Sequence, residues 1–157
     1  MSTSTSCPLC QKPDTQLLWS NSLIHVIAVN EAGLPGYTRV IWAEHRPEMT
    51  DLYSADRAML MEIVWLVEAA QRQVLRPDKI NLAQFGNMVP HLHWHVIPRW
   101  ATDPYFPQAI WAPATARNPS QLAVWADQQA ILQNSLTSYH QVLTDSLNLF
   151  AEKQATT

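Results

Sequence analysis

Three of the six histidines fall in one heptapeptide, His91-Leu92-His93-Trp94-His95-Val96-Ile97. A strand sends successive side chains to opposite faces, so His91, His93 and His95 share one face and Leu92, Trp94 and Val96 the other. The apolar set can pack beneath a helix, which leaves the imidazoles aimed at a pocket or at solvent. Two chemistries want such a face. A metal site takes H-x-H from one strand plus a ligand from elsewhere. A nucleophilic site needs one imidazole held by its neighbours so that its lone pair meets an electrophile. Distance limits the first option: at about 3.3 Å per residue His91 and His95 stand roughly 13 Å apart, against Zn–N bonds of about 2.1 Å. The three cannot share one ion. With an ordinary pKa near 6.5, an imidazole is mostly neutral, and therefore nucleophilic, at pH 7.

A second group of reactive side chains is the pair Cys7 and Cys10 in C-P-L-C. Two thiolates supply half of a tetrahedral Zn²⁺ site; the same spacing also serves redox pairs or free thiols. A redox pair follows a strand and opens a helix, and no strand pattern precedes Cys7.

These residues need elements to place them. Leu17 to Ser20 and Leu23 to Val29 read as strands, and Asn30 to Gly36 carries turn chemistry. Arg39 to Ala43 returns as a buried strand, which predicts an antiparallel pairing. Leu60, Ile63, Val64, Val67, Ala70 and Val74 recur at helical steps, so a long amphipathic helix capped by Ser54 and ended before Arg76-Pro77 is expected. Ile80 to Phe85 and Leu92 to Pro98 follow as strands. The sum is an α+β fold with a helix covering an antiparallel sheet. Beyond a Pro- and aromatic-rich stretch, Asn118-Pro119 looks like a helix start. Leu132, Leu136, Tyr139, Leu143, Leu147 and Phe150 then form a helical stripe.

Composition narrows the classes. The 157 residues are 47% hydrophobic and 15% charged with a net charge of −3, which excludes general disorder. Ten dispersed basic residues argue against a duplex nucleic-acid partner. No apolar run reaches the roughly 20 residues of a membrane helix. Met1 to Ser6 lack the charged and apolar regions of a signal peptide, so a reducing cytoplasm is the expected setting.

The heptapeptide resembles the His-φ-His-φ-His-φ-φ signature (φ apolar) of the histidine-triad (HIT) family of nucleotide hydrolases and transferases. Pro90 before it and Ile97-Pro98-Arg99 after it resemble the family's flanks. Val29-Asn30, Pro35-Gly36 and Val40-Ile41 to His45 resemble its second and third strands and the following loop. The resemblance covers about residues 7 to 100. It implies that His93 attacks the α-phosphorus of a nucleotide, expelling a leaving group and forming a phosphohistidine that water hydrolyses. His95 then donates to phosphate oxygens or to the leaving group. Asn87 falls on the family's Gln and is expected to touch phosphate or leaving group. Asn30, Asn81, Asn87 and His95 are the expected nucleotide contacts. Met88 stands where a Ser or Thr is common, and the Gly-rich loop is shortened.

By the same resemblance, some bacterial members join an N-terminal C-x-x-C to the positions of His45 and His91. Cys7, Cys10, His45 and His91 are thus the expected ligands of a structural Zn²⁺. The expected organisation is a HIT domain over residues 1–112 with a zinc knuckle at 1–15, then a C-terminal helical extension over 113–157. Family members commonly form two-fold dimers in which the long helix and a sheet edge pair across the axis. Seven tryptophans, with Trp65 on the helix, and the C-terminal stripe, which could fold back or cross to a second subunit, also favour a homodimer. The alternative function is a nucleotide-binding regulatory module with weak or no catalysis. A metal-dependent hydrolase using His93 and His95 as ligands is the least favoured.

Overall fold

The computed structural model describes residues 7–11 and 16–156. Of the proposed knuckle, residues 1–6 and 12–15 lie outside the described part. The element order is β1 (Leu17–Ser20), β2 (Ile24–Ala28), β3 (Thr38–Trp42), α1 (Ser54–Val74), β4 (Lys79–Gln84), β5 (His93–Arg99) and α2 (Pro119–Ala155). The five strands form one antiparallel sheet in the order β1-β2-β3-β5-β4. The α+β architecture expected from the sequence is present.

Alternation decides which face is which. On β2, β3 and β5, Ile24, Val26, Val40 and Val96 are inaccessible and face α1, which buries Leu60, Ile63, Val64 and Val67 against them. The sheet's other face carries the histidines. Between β2 and β3 the chain turns at Gly36, whose φ of 79° is costly for any residue with a Cβ. A Cβ there would also meet Leu75 Cδ1 at 2.3 Å. The Gly36 carbonyl accepts from Gln71 Nε2 (3.0 Å) and Thr38 Oγ1 (3.0 Å), pinning the turn to α1.

One local reading differs from the structure. Ser54 is the first residue of α1 rather than its cap; Tyr53 occupies the cap position, and no side chain caps the helix. In contrast, Asn118 does cap α2. Its side chain accepts from Gln121 N at 3.0 Å, Gln121 Oε1 returns the contact at 2.9 Å, and Pro119 follows at the first helical position.

The C-terminal stripe folds back on its own chain. Leu132, Tyr139, Leu143 and Leu147 are buried in the same core as α1 and the sheet, with Leu136 and Phe150 packed at its margin. Tyr139 Oη meets Thr38 Oγ1 at 2.7 Å, and Trp19 Nε1 donates to Asn148 Oδ1 at 3.0 Å. The stripe therefore already has its apolar partner within one chain. That removes it as a reason to expect a second subunit.

Candidate active site

β5 is flanked by β3 and β4, so its outward face is walled by both neighbours. In the β3–β5 register, Ile41 lies opposite His93 and Arg39 opposite His95. The heptapeptide begins as a bend: His91 N bonds Val89 O at 2.8 Å and Leu92 N bonds Arg46 O at 2.6 Å before regular pairing starts at His93. All three histidines are buried, none more than 7% exposed. Of the two outlets left open by alternation, the face opens into a pocket.

Hydrogen bonds fix the tautomer of each ring, and His93 differs from the other two. His93 Nδ1 donates to the His91 carbonyl at 2.6 Å. Its Nε2 is then a lone pair. His91 Nε2 donates to the Trp42 carbonyl at 2.6 Å, which leaves Nδ1 as its lone pair. His95 Nδ1 contacts the Tyr37 hydroxyl, and that hydroxyl oxygen is approached by Arg39 Nε at 3.4 Å. A phenol oxygen that accepts from a guanidinium has its proton left to give, so Tyr37 donates to His95 Nδ1 and His95 carries N–H at Nε2. Burial pushes the Tyr37 hydroxyl's pKa up despite the Arg39 charge, so it keeps that proton at pH 7. One imidazole presents a lone pair, its neighbour a donor.

Charge agrees with this assignment. Burial, offset in part by the hydrogen bond to His91 and reinforced by Arg39, holds His93 below its ordinary pKa. Burial, then the neighbouring His93 and Arg39, pushes His95 down to about 3. Both rings are neutral at pH 7. The His93 and His95 centroids are 4.7 Å apart, close enough to act on one small group.

The pocket they line has a volume of about 580 Å³ and is shared with Arg39, the segment Phe85–Val89, Trp111, and Pro8 and Leu9. Asn87 is among the lining residues, beside Met88, which is 93% exposed and whose side chain offers no hydrogen-bond donor. Phe85 and Trp111 meet edge to face at 4.7 Å, and Trp111 meets His95 at 5.3 Å. Trp111 is carried on a loop anchored by Arg99, which is buried and holds Asp103 (2.7 and 3.1 Å) and the Gln108 carbonyl (2.8 Å). Burial alone would raise the Asp103 carboxyl, but Arg99 and the Tyr105 and Phe106 amides outweigh it and hold the pKa low.

The remaining sequence-predicted contacts lie apart. Asn81 Oδ1 accepts from Arg99 Nη1 at 2.7 Å, and Asn81 lines a neighbouring cavity rather than the histidine pocket. Asn30 is exposed at the end of β2 and is not among the pocket's lining residues. Tyr37, Arg39, Phe85 and Trp111 were not singled out by sequence. Tyr37 and Arg39 do share strand parity with Ile41, but only the β3–β5 register shows that they reach His95.

Cys7, Cys10, His45 and His91 converge, with all four ligand atoms within 4.8 Å of one another. Cys7 Sγ and Cys10 Sγ lie 3.4 and 3.6 Å from His91 Nδ1, and Cys10 Sγ lies 3.4 Å from His45 Nδ1. A tetrahedral ion with Zn–S near 2.3 Å and Zn–N near 2.1 Å requires S···N edges of about 3.6 Å. The His91 tautomer aims its lone pair into this cluster, as a ligand must, and the Trp42 carbonyl supplies the outer hydrogen bond that orients it. These residues can hold a metal ion.

The HIT domain model matches residues 11–102. The chain belongs to the HIT domain family. Among curated relatives of this HIT protein, an AP-4-A phosphorylase from Mycobacterium tuberculosis is 31% identical over 78 residues, covering 46% of this chain and 40% of the relative. The chain thus matches less than half the length of that relative. A histidine triad protein from Sinorhizobium meliloti 1021 is 25% identical with a TM-score of 0.58, over 77% of this chain and 89% of that one. Another from Marinobacter aquaeolei VT8 is 27% identical with a TM-score of 0.57, over 76% and 89%. The family binds nucleotide substrates and carries hydrolase and transferase activities. No helix among the described residues is long and apolar enough to cross a membrane.

Proposed function

We propose that this HIT protein cleaves nucleotides at the α-phosphate through a phosphohistidine on His93. The observation that carries the reading is the His93 Nδ1 bond to the His91 carbonyl, which leaves Nε2 as a lone pair on the pocket. In the first step Nε2 forms a bond to the α-phosphorus while the bond to the leaving group breaks, and His95 Nε2–H protonates that group as the Tyr37 hydroxyl passes its own proton to His95 Nδ1, leaving a phenolate beside Arg39. In the second, an acceptor forms a bond to phosphorus as the P–N bond breaks, its proton goes to His95 Nε2, and the Nδ1 proton returns to Tyr37. Asn87 stands at the pocket wall to bond phosphate or leaving group.

Substrates of this class are dinucleoside polyphosphates, nucleoside phosphoramidates and related adenylated compounds. The acceptor is water in a hydrolase and inorganic phosphate in a phosphorylase, the activity named for the Mycobacterium tuberculosis relative. Diadenosine tetraphosphate separates the two: water yields AMP and ATP, phosphate yields ADP and ATP. The test of the mechanism is trapping at alkaline pH, where the acid-labile P–N bond survives: a single turnover with α-³²P-labelled substrate, quenched in base, should leave label on His93. Turnover without a labelled enzyme would end the proposal.

Exposed Met88, which cannot assist a leaving group, favours a second reading in which the pocket binds nucleotides but turns them over slowly. Zinc in the Cys7, Cys10, His45, His91 cluster belongs to the same proposal, as do a two-fold homodimer and a cytoplasmic setting. Asn30 and Asn81 are proposed to contact the nucleotide from beside the pocket, Asn81 giving up its bond to Arg99 on binding.

A further inference from the structure

Among the described residues that line the pocket, Arg39 is the one Lys or Arg and there is no carboxylate. Arg39 is half-buried, so its charge is only partly dissipated by water. Among the described residues no carboxylate pairs with it. Its recorded contacts are Nε to the Tyr37 hydroxyl and the guanidinium carbon 5.5 Å from the Tyr37 ring centroid. The two terminal nitrogens therefore keep the geometry that a bidentate anion contact uses.

Position along the sheet separates this cation from the nucleophile. Arg39 is the cross-strand partner of His95, while His93 faces Ile41, one step of the same face away. Two residues of strand correspond to about 6.6 Å. The phosphoryl group attacked by His93 already has the His95 Nε2–H and the Asn87 amide beside it. A charge displaced toward His95 lies on the side where the leaving group departs.

We propose that Arg39 is a specificity residue that binds a second anionic group of the substrate, so that this site selects nucleotides with a charged, phosphate-bearing leaving group over those with a neutral one. This rests on the nucleotide reading of the pocket given above. Arginine forks onto phosphate oxygens by two parallel N–H···O bonds, a recognition that glutamine cannot reproduce and lysine reproduces only as a point charge. Tyr37 holds the guanidinium by its Nε edge and leaves the opposite edge to the ligand.

Equilibrium binding of AMP and of the non-hydrolysable α,β-methylene-ADP tests this directly. The unmodified chain should bind the diphosphate analogue at least about tenfold more tightly, in line with a charge-assisted hydrogen-bonded contact. Arg39→Gln should bring the two affinities to within about threefold of each other by weakening the diphosphate far more than AMP, and Arg39→Lys should fall between. Retained AMP binding by Arg39→Gln shows that the variant folds. An unmodified chain that binds AMP without preferring the diphosphate, or an Arg39→Gln that weakens both equally, overturns the specificity role and leaves the nucleotide site standing. If the unmodified chain binds neither compound, the nucleotide reading falls and this inference with it.

Discussion

The Nδ1 of His93 lies 2.6 Å from the carbonyl oxygen of His91, the residue whose own ring faces the two cysteine thiols. One backbone carbonyl thus connects the proposed nucleophile to the cluster that can hold a metal ion. Replacing His93 with Asn should remove nearly all turnover while leaving nucleotide binding intact, because the side chain lines a pocket and supports little of the core. His95→Asn should be less severe, with a rate loss of about 10²–10⁴ for a missing general acid. Rates for both variants against the unmodified chain check this; undiminished turnover by His93→Asn would sink the mechanism.

Metal removal should act on structure first and on chemistry only through it. Chain purified without an affinity tag should carry about one zinc per chain. Chelation, or Cys7→Ser with Cys10→Ser, should lower the melting temperature and release Pro8 and Leu9 from the pocket wall. Turnover should weaken without vanishing, since no step passes through the ion. Complete and immediate loss of activity on chelation, with the melting temperature unmoved, would instead favour a catalytic metal.

The buried imidazoles set two pH dependences. His93 lies below its ordinary pKa and His95 at about 3, so the acid limb of kcat/KM should fall below pH 6.5. In the unfolded chain these rings take up protons near pH 6.5, whereas in the folded chain they resist until lower pH. Stability from this source is therefore fully present above about pH 6.5 and is lost as pH falls toward the folded values. Tyr37→Phe removes the donor that fixes the His95 tautomer; it should cut kcat about tenfold or more and alter the acid limb. Kinetics and thermal melts from pH 4 to 8 read both effects.

Much of the site was legible because it is local. The H-x-H-x-H alternation states which side chains share a face, and the apolar residues between them state which face is buried, whatever the rest of the fold does. Tyr37 and Arg39 were not legible for the opposite reason. Their proximity to His95 depends on the pairing of β3 with β5, and a slip of one residue would send both to the far side of the sheet. Trp111 depends on a loop held by the Arg99–Asp103 pair, which no periodicity announces. The stripe on α2 shows another limit: periodicity revealed an apolar face but not what would cover it. Ser54 was read as a cap from residue type alone, yet its position inside the first turn is set by where the chain leaves Tyr53.

Because that stripe closes the domain's own core, α2 should be needed for folding. Leu143 is fully buried among α1 and sheet residues. Leu143→Ala should cost about 2–5 kcal/mol by lost burial and a residual cavity. Denaturant melts measure it, and a cost below about 1 kcal/mol would show that α2 packs more loosely than the structure indicates.

With the C-terminal stripe buried in its own chain, assembly rests on the other surface the family resemblance implied, the long helix and a sheet edge. β4 is one of the sheet's two edge strands, with an outer side that no described strand pairs. Leu82 of β4 and Phe85 just after it are exposed, and Trp111 lies across a shared cavity that also reaches Glu68 of α1. Trp65, one helical turn before Glu68, is 51% exposed. A two-fold contact joining β4 edges and the Trp65 faces would cover both the open edge and these apolar side chains at once. The expected state is a homodimer, giving a sedimentation mass about twice the 17.8 kDa chain at micromolar concentration. Trp65→Glu with Leu82→Lys should shift it to monomer while leaving the histidine pocket intact. A strict monomer for the unmodified chain across that range would refute the assembly and leave the chemistry of His93 untouched.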